Sequence, residues 1–210
     1  MQDLFYARTG HVLPLENSNV FKELGKTMDY ARRNEMKLNF RKTKAMVFNP
    51  CTSIDFSPEF LLDGNDIQVV DEIRLLGLVI TSDLKWTSNT ENLVNKANKI
   101  LWILRRLKNL GASQADLIDI YLKQIRCVLE LAVPAWSGSI NLADQIDIER
   151  IQKSAAHIIL GSSYLSYKDA LKTLNLESLK TRRDNLCLKF AKKAEKDKKF
   201  KHWFKAADHK

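Results

Sequence analysis

The chain has 210 residues, 45% hydrophobic and 28% charged, which is enough to bury a core in one domain or two subdomains and too apolar for a disordered segment. Its formal charge of +9 is uneven: residues 172–210 hold 13 Lys/Arg against 5 Asp/Glu, so that end is either a solvated basic helix or a surface that attracts polyanions. No run of 18 apolar residues offers a membrane span, Met1–Phe5 lacks the basic-then-apolar order of a signal peptide, and Cys51, Cys127 and Cys187 are odd in number and suit a reducing compartment without a C-x-x-C zinc site.

The predicted elements begin with a short apolar run, Asp3 to Ala7, read as one strand. Asn17 to Arg33 has helix period, with Val20, Leu24, Met28 and Ala31 on one face and Asn17, Ser18 or Asn19 as cap. Lys44 to Phe48 alternates as a half-buried strand does. Pro50 and Pro58 bracket a loop. Phe60–Leu62 and Ile67–Val69 flank Asp63-Gly64-Asn65-Asp66, a hairpin signal in which the two aspartates are turn residues rather than a catalytic pair. A further strand from Ile73 to Ile80 breaks at Gly77.

Beyond Thr81 the period changes from 2 to 3.6. Leu93, Ala97, Ile100 and Leu104 mark a long helix closed by Gly111. Ser113-x-x-Asp116 caps a second, marked by Leu117 or Ile118, Tyr121, Ile125 and Val128 and stopped by Pro134. Ile148, Ile151, Ala155 and Ile158 mark a third, ending at Gly161. Ser166-x-x-Asp169 opens a short fourth with Ala170, Leu171 and Leu174; Leu179, Leu186, Phe190 and Ala194 mark a fifth that runs into the lysine-rich end. The expected fold class is α+β. Residues 1–86 form a small piece of helix and short antiparallel strands, and 87–210 a helical piece, with the boundary near Lys85 to Asn89.

Six stretches, in order, resemble the back half of a non-LTR retrotransposon reverse transcriptase. Residues 20–48 are similar to the family's palm helix, L-N-x-x-K-T-K loop and strand, and Ile73 to Trp86 to its R-x-L-G-x-x-I-x-x-x-L-x-W segment. Residues 92–133, 146–161 and 164–191 resemble the helices that follow, and Leu4-Phe5-Tyr6-Ala7 resembles the strand after the catalytic aspartate pair. The resemblance implies the end of a palm, a thumb and a helical extension. RNA template and DNA primer duplex would be partners, together with the fingers and palm of a parent polypeptide. In the family a Y-x-D-D pair and a further aspartate hold Mg2+. This sequence contains no Asp-Asp anywhere. The expectation is therefore a fragment that is inactive by itself, lacking the complete catalytic set and any cofactor of its own.

By that resemblance Lys42 is a leaving-group acid in the intact enzyme, Lys44 its neighbour on nucleic acid, and Leu76-Gly77-Leu78 a primer grip. Without it, Lys42 is a solvated loop lysine and Gly77 a packing or bulge glycine. Lys96, Lys99 and Arg106 fall beside the apolar stripe of the first long helix, with Arg105 and Lys108 near its end; they suit phosphate contacts or a solvated face. Arg126, Glu130, Arg182 and Arg183 suggest helix–helix pairing, the four tryptophans packing rather than base stacking, and Cys187 a core position. The histidines, at 11, 157, 202 and 209, have no metal spacing. The alternative reading is a stand-alone helical module that binds nucleic acid or protein without chemistry.

Overall fold

A computed structural model describes residues 19–48, 60–62 and 64–204. The strand read at Asp3 to Ala7, the Pro50–Pro58 loop, Cys51 and the last six residues lie outside these. The chain divides into two compact units. The first comprises residues up to Ile73 with Ser82–Leu84, the second Arg74–Thr81 with everything from Lys85.

In the first unit α1 spans Asn19–Arg33. Its face is shallow: Leu24 and Met28 are half-buried and Ala31 is buried. β1 (Phe60–Leu62) pairs antiparallel with β2 (Asn65–Ile67), Leu62 opposite Asn65, and the chain reverses beside Gly64 at φ 74°. The expected strand at Lys44–Phe48 is a correction. It reduces to one parallel bridge, in which Ala45 donates to the Gln68 carbonyl at 3.0 Å and accepts from Val70 at 2.9 Å. Alternation fixes which side chains face inward, but a strand also needs a partner running alongside, and here the partner is one residue deep. Among the described residues α1 lays no extended face against β1 and β2.

β3 (Glu72–Leu75) and β4 (Leu78–Thr81) form the second two-stranded sheet. Their turn places Leu76 at φ 49° and Gly77 at φ 90°, the doubly left-handed turn whose twist suits a tight hairpin. Residues 74–81 therefore belong with the helices, not with the first 86 residues as the change in period suggests. Leu78 and Val79 are buried, and the Val79 amide donates to the Asn89 side chain at 3.1 Å. A Cβ at Gly77 would stand 3.1 Å from Leu131 Cδ2. Gly77→Ala is thus expected to lower unfolding free energy by about 1–2 kcal/mol through the left-handed backbone alone. Denaturant titration of the whole chain would read it, and an unchanged midpoint would refute it.

α2 (Thr87–Asn109) and α6 (Leu142–Leu160) are the main packing pair of this unit. They run parallel, because both pairs of ends are tied. Thr87 Oγ1 donates to Asp144 at 3.1 Å at one end, and Lys108 Nζ donates to the Ile159 carbonyl at 3.0 Å at the other. Parallel helices gather two negative C-termini, which the Lys108 ammonium offsets. The return crossover holds α3 (Gln114–Ile120), a π-helical stretch (Tyr121–Arg126) and α4 (Cys127–Leu129) as one winding segment. Leu117, Tyr121, Ile125 and Leu129, four residues apart, are all buried. On an α-helix each such step overshoots a turn by roughly 40°. The wider π winding turns the drift back and keeps all four against the core.

The crossover helix does not run on to Pro134. It ends at Leu129, the chain turns with Ala132 at φ 49°, and Pro134 sits inside the short α5 (Val133–Trp136), in the first turn where its missing N–H costs nothing. α7 (Tyr167–Thr173) and α8 (Leu179–Lys196) complete the unit. Ser113, Ser166 and Ser178 each accept a first-turn amide of the helix they open, and Gly111 and Gly161 take positive φ at helix ends. Three core marks move one residue on: Leu101, Leu129 and Ile159 are buried, while Ile100, Val128 and Ile158 pack against them from the rim. Phe190, expected on the α8 stripe, is 46% exposed; Arg183 takes a core position on that helix instead.

Candidate nucleic-acid interface and its scaffold

Of α2's 23 residues one, Glu91, is acidic, whereas five are basic. The buried stripe Leu93, Ala97, Leu101, Leu104 turns the opposite face to solvent. At 100° per residue, Lys99, Trp102 and Arg106 fall on one exposed line, with Lys96 to one side and Arg105 to the other. Trp102 is 59% exposed, and the Arg106 guanidinium carbon lies over its ring, 5.4 Å from the centroid. This geometry is a cation–π pair at a solvated site.

The remaining proposed site residues are placed differently. Lys108 is half-buried and its ammonium is engaged at the end of α6. Lys42, in the first unit, is exposed on a turn where Asn39 accepts its amide at 3.2 Å. Lys44 donates to the Gln68 side chain. Leu76 stands 91% exposed at the hairpin tip, while Leu78 is buried beneath it. Four cations therefore share the α2 face. Lys42 and Lys44 sit in the other unit. Among the described residues no group of His, Cys, Asp or Glu could hold a metal ion, and no helix is long and apolar enough to cross a membrane.

Sequence reasoning favoured packing over base stacking for all four tryptophans. Trp136 is fully buried and Trp86 packs on the core, but Trp102 and Trp203 are exposed. The available signal for Trp102 was its offset from the 93–97–104 stripe, hidden by the apolar run Ile100–Ile103.

A polar network fixes the helices to one another. Glu149 accepts the amides of Leu179 and Lys180, each at 3.2 Å, and the Tyr167 hydroxyl, so its carboxylate finishes the first turn of α8. Gln152 donates to Tyr167 Oη and the Glu177 carbonyl, both at 2.9 Å, and accepts from Tyr121. Burial pushes both phenols well above the usual tyrosine range, so they stay protonated donors. Arg182 clasps Glu130 with two nitrogens, Nη2 at 3.0 Å, while Arg126 and Glu177 flank the pair at 3.9 and 3.6 Å. Helix–helix pairing is therefore the role of Glu130 and Arg182, while Arg126 supports Glu130 from its own segment. Arg183 differs. It is 3% exposed, its Nη1 has no hydrogen-bond partner among the described residues, and burial holds its pKa below the ordinary guanidinium value.

Compared with known proteins, the chain matches no family model, no curated protein and no solved structure.

Proposed function

We propose that this chain is the duplex-holding back part of a non-LTR retrotransposon-type reverse transcriptase: the end of a palm with a primer-grip-like hairpin, followed by a thumb and helical extension. It has no aspartate pair to hold Mg2+, so its own contribution is to bind RNA template and DNA primer rather than to join nucleotides. The observation that supports this most is the solvent face of α2, where Lys96, Lys99, Arg105 and Arg106 stand together with one carboxylate on the whole helix. Cations along a rigid helix match phosphates spaced along a duplex, and such contacts position the protein without reading sequence. The tight hairpin at Gly77, where the resemblance expects one, is consistent with it.

An RNA–DNA heteroduplex titration at several salt concentrations tests the reading. The logarithm of the affinity should fall linearly with the logarithm of salt, at about 0.9 per phosphate neutralised on a B-form duplex. Lys99→Ala with Arg106→Ala should reduce that slope by about two. Binding that ignores salt, or no binding, would overturn it.

A further inference from the structure

Phosphate contacts explain the four cations but not the tryptophan among them. An indole on a helix surface costs exposed apolar area, and a closed duplex offers it base edges, sugar and phosphate but no open base face. What an aromatic face pairs with is another π-face, and in nucleic acid that face is free on an unpaired base. Arg106 lies over the Trp102 ring, which orients the indole and supplies a positive charge beside it. Lys99 lies one turn before Trp102 on the same line, and Lys96 and Arg105 flank it. Stacking platform and backbone clamp thus occur within three helical turns.

We infer that the Trp102–Arg106 pair is a stacking site for an unpaired nucleobase, held by the phosphates on either side through Lys99, Lys96 and Arg105. The ligand is a single-stranded nucleic-acid segment, or the frayed or overhanging end of a duplex. This rests on the proposed nucleic-acid role of the same helix and adds which part of the nucleic acid meets its centre. Any base serves, since each has a π-face, and so does either sugar.

The test compares the full chain with Trp102→Ala and Trp102→Phe on three probes: a short oligo(U), a short oligo(dT), and a duplex closed by loops bound too tightly to fray. Trp102→Ala should weaken both single strands by about 5- to 100-fold, with an unchanged salt slope, because stacking moves no counterion. Trp102→Phe should recover most of that loss. Binding to the closed duplex should change less than about twofold in either variant. A loss confined to oligo(U) or to oligo(dT) would keep the stacking site and assign its strand chemistry. Equal loss on the closed duplex, or none on the single strands, would overturn the inference while leaving the phosphate reading standing. No binding of any probe by the unmodified chain would remove the functional proposal itself. Thermal melts guard the comparison: Trp102 is mostly exposed, so both variants should melt as the unmodified chain does.

Discussion

Trp136→Ala should be among the most damaging single substitutions in the helical unit, lowering its unfolding free energy by about 3–5 kcal/mol. Trp136 is wholly buried where α5 meets α8, and truncation leaves an indole-sized space. Its Nε1 also donates to the Leu131 carbonyl at 2.8 Å, in the turn where Ala132 takes φ 49°. That carbonyl belongs to the break between α4 and α5, where helical partners have run out. Trp136→Phe separates the two contributions: it keeps most of the apolar volume and loses the hydrogen bond, and should cost roughly 1–3 kcal/mol. Denaturant unfolding followed by circular dichroism would measure both. If alanine costs less than phenylalanine is expected to, the packing argument fails.

Glu130→Ala is the second. The carboxylate sits between Arg182, which clasps it, and Arg126 at 3.9 Å, and its side chain is only 15% exposed. Removing it leaves a guanidinium on α8 and another on the crossover helix facing one another with less compensation. The expected loss is about 2–4 kcal/mol, somewhat under that for a fully buried pair, because Arg182 keeps Glu177 at 3.6 Å and some water. Replacing Glu130 and Arg182 together by methionine should restore much of it, since what costs most is the unpaired charge and not the missing bridge. A double variant as unstable as Glu130→Ala would show that the pair itself is the source of stability.

The helices were legible where local chemistry sets them. Ser113, Ser166, Gly111 and Gly161 mark starts and stops because a hydroxyl or a missing Cβ acts within a few residues of itself. Stripes such as Leu93, Ala97 and Leu104 were legible because period shows burial directly. Features that depend on distant neighbours were not. Lys44–Phe48 alternates like a strand, but among the described residues only Ala45 finds a bridge partner. Pro134 is a stop signal in one helix and a start residue in another, and the choice rests on the turn that Trp136 secures. Of the candidate site, the cations of α2 were visible as residues beside a stripe. That Trp102 turns outward follows from its offset from the α2 stripe, but that the Lys108 ammonium is engaged depends on α6.

The π-helical stretch between Tyr121 and Arg126 has a consequence for how this chain tolerates change. Because winding there, and not residue spacing, aligns Leu117 with Leu129, chain length inside the crossover is adjustable. One residue removed tightens the coil toward ordinary winding, and one added widens it, while the flanking segments keep their seats. Elsewhere in the bundle a single insertion would rotate every following side chain by about a quarter turn or more; here the fold has a place to absorb it.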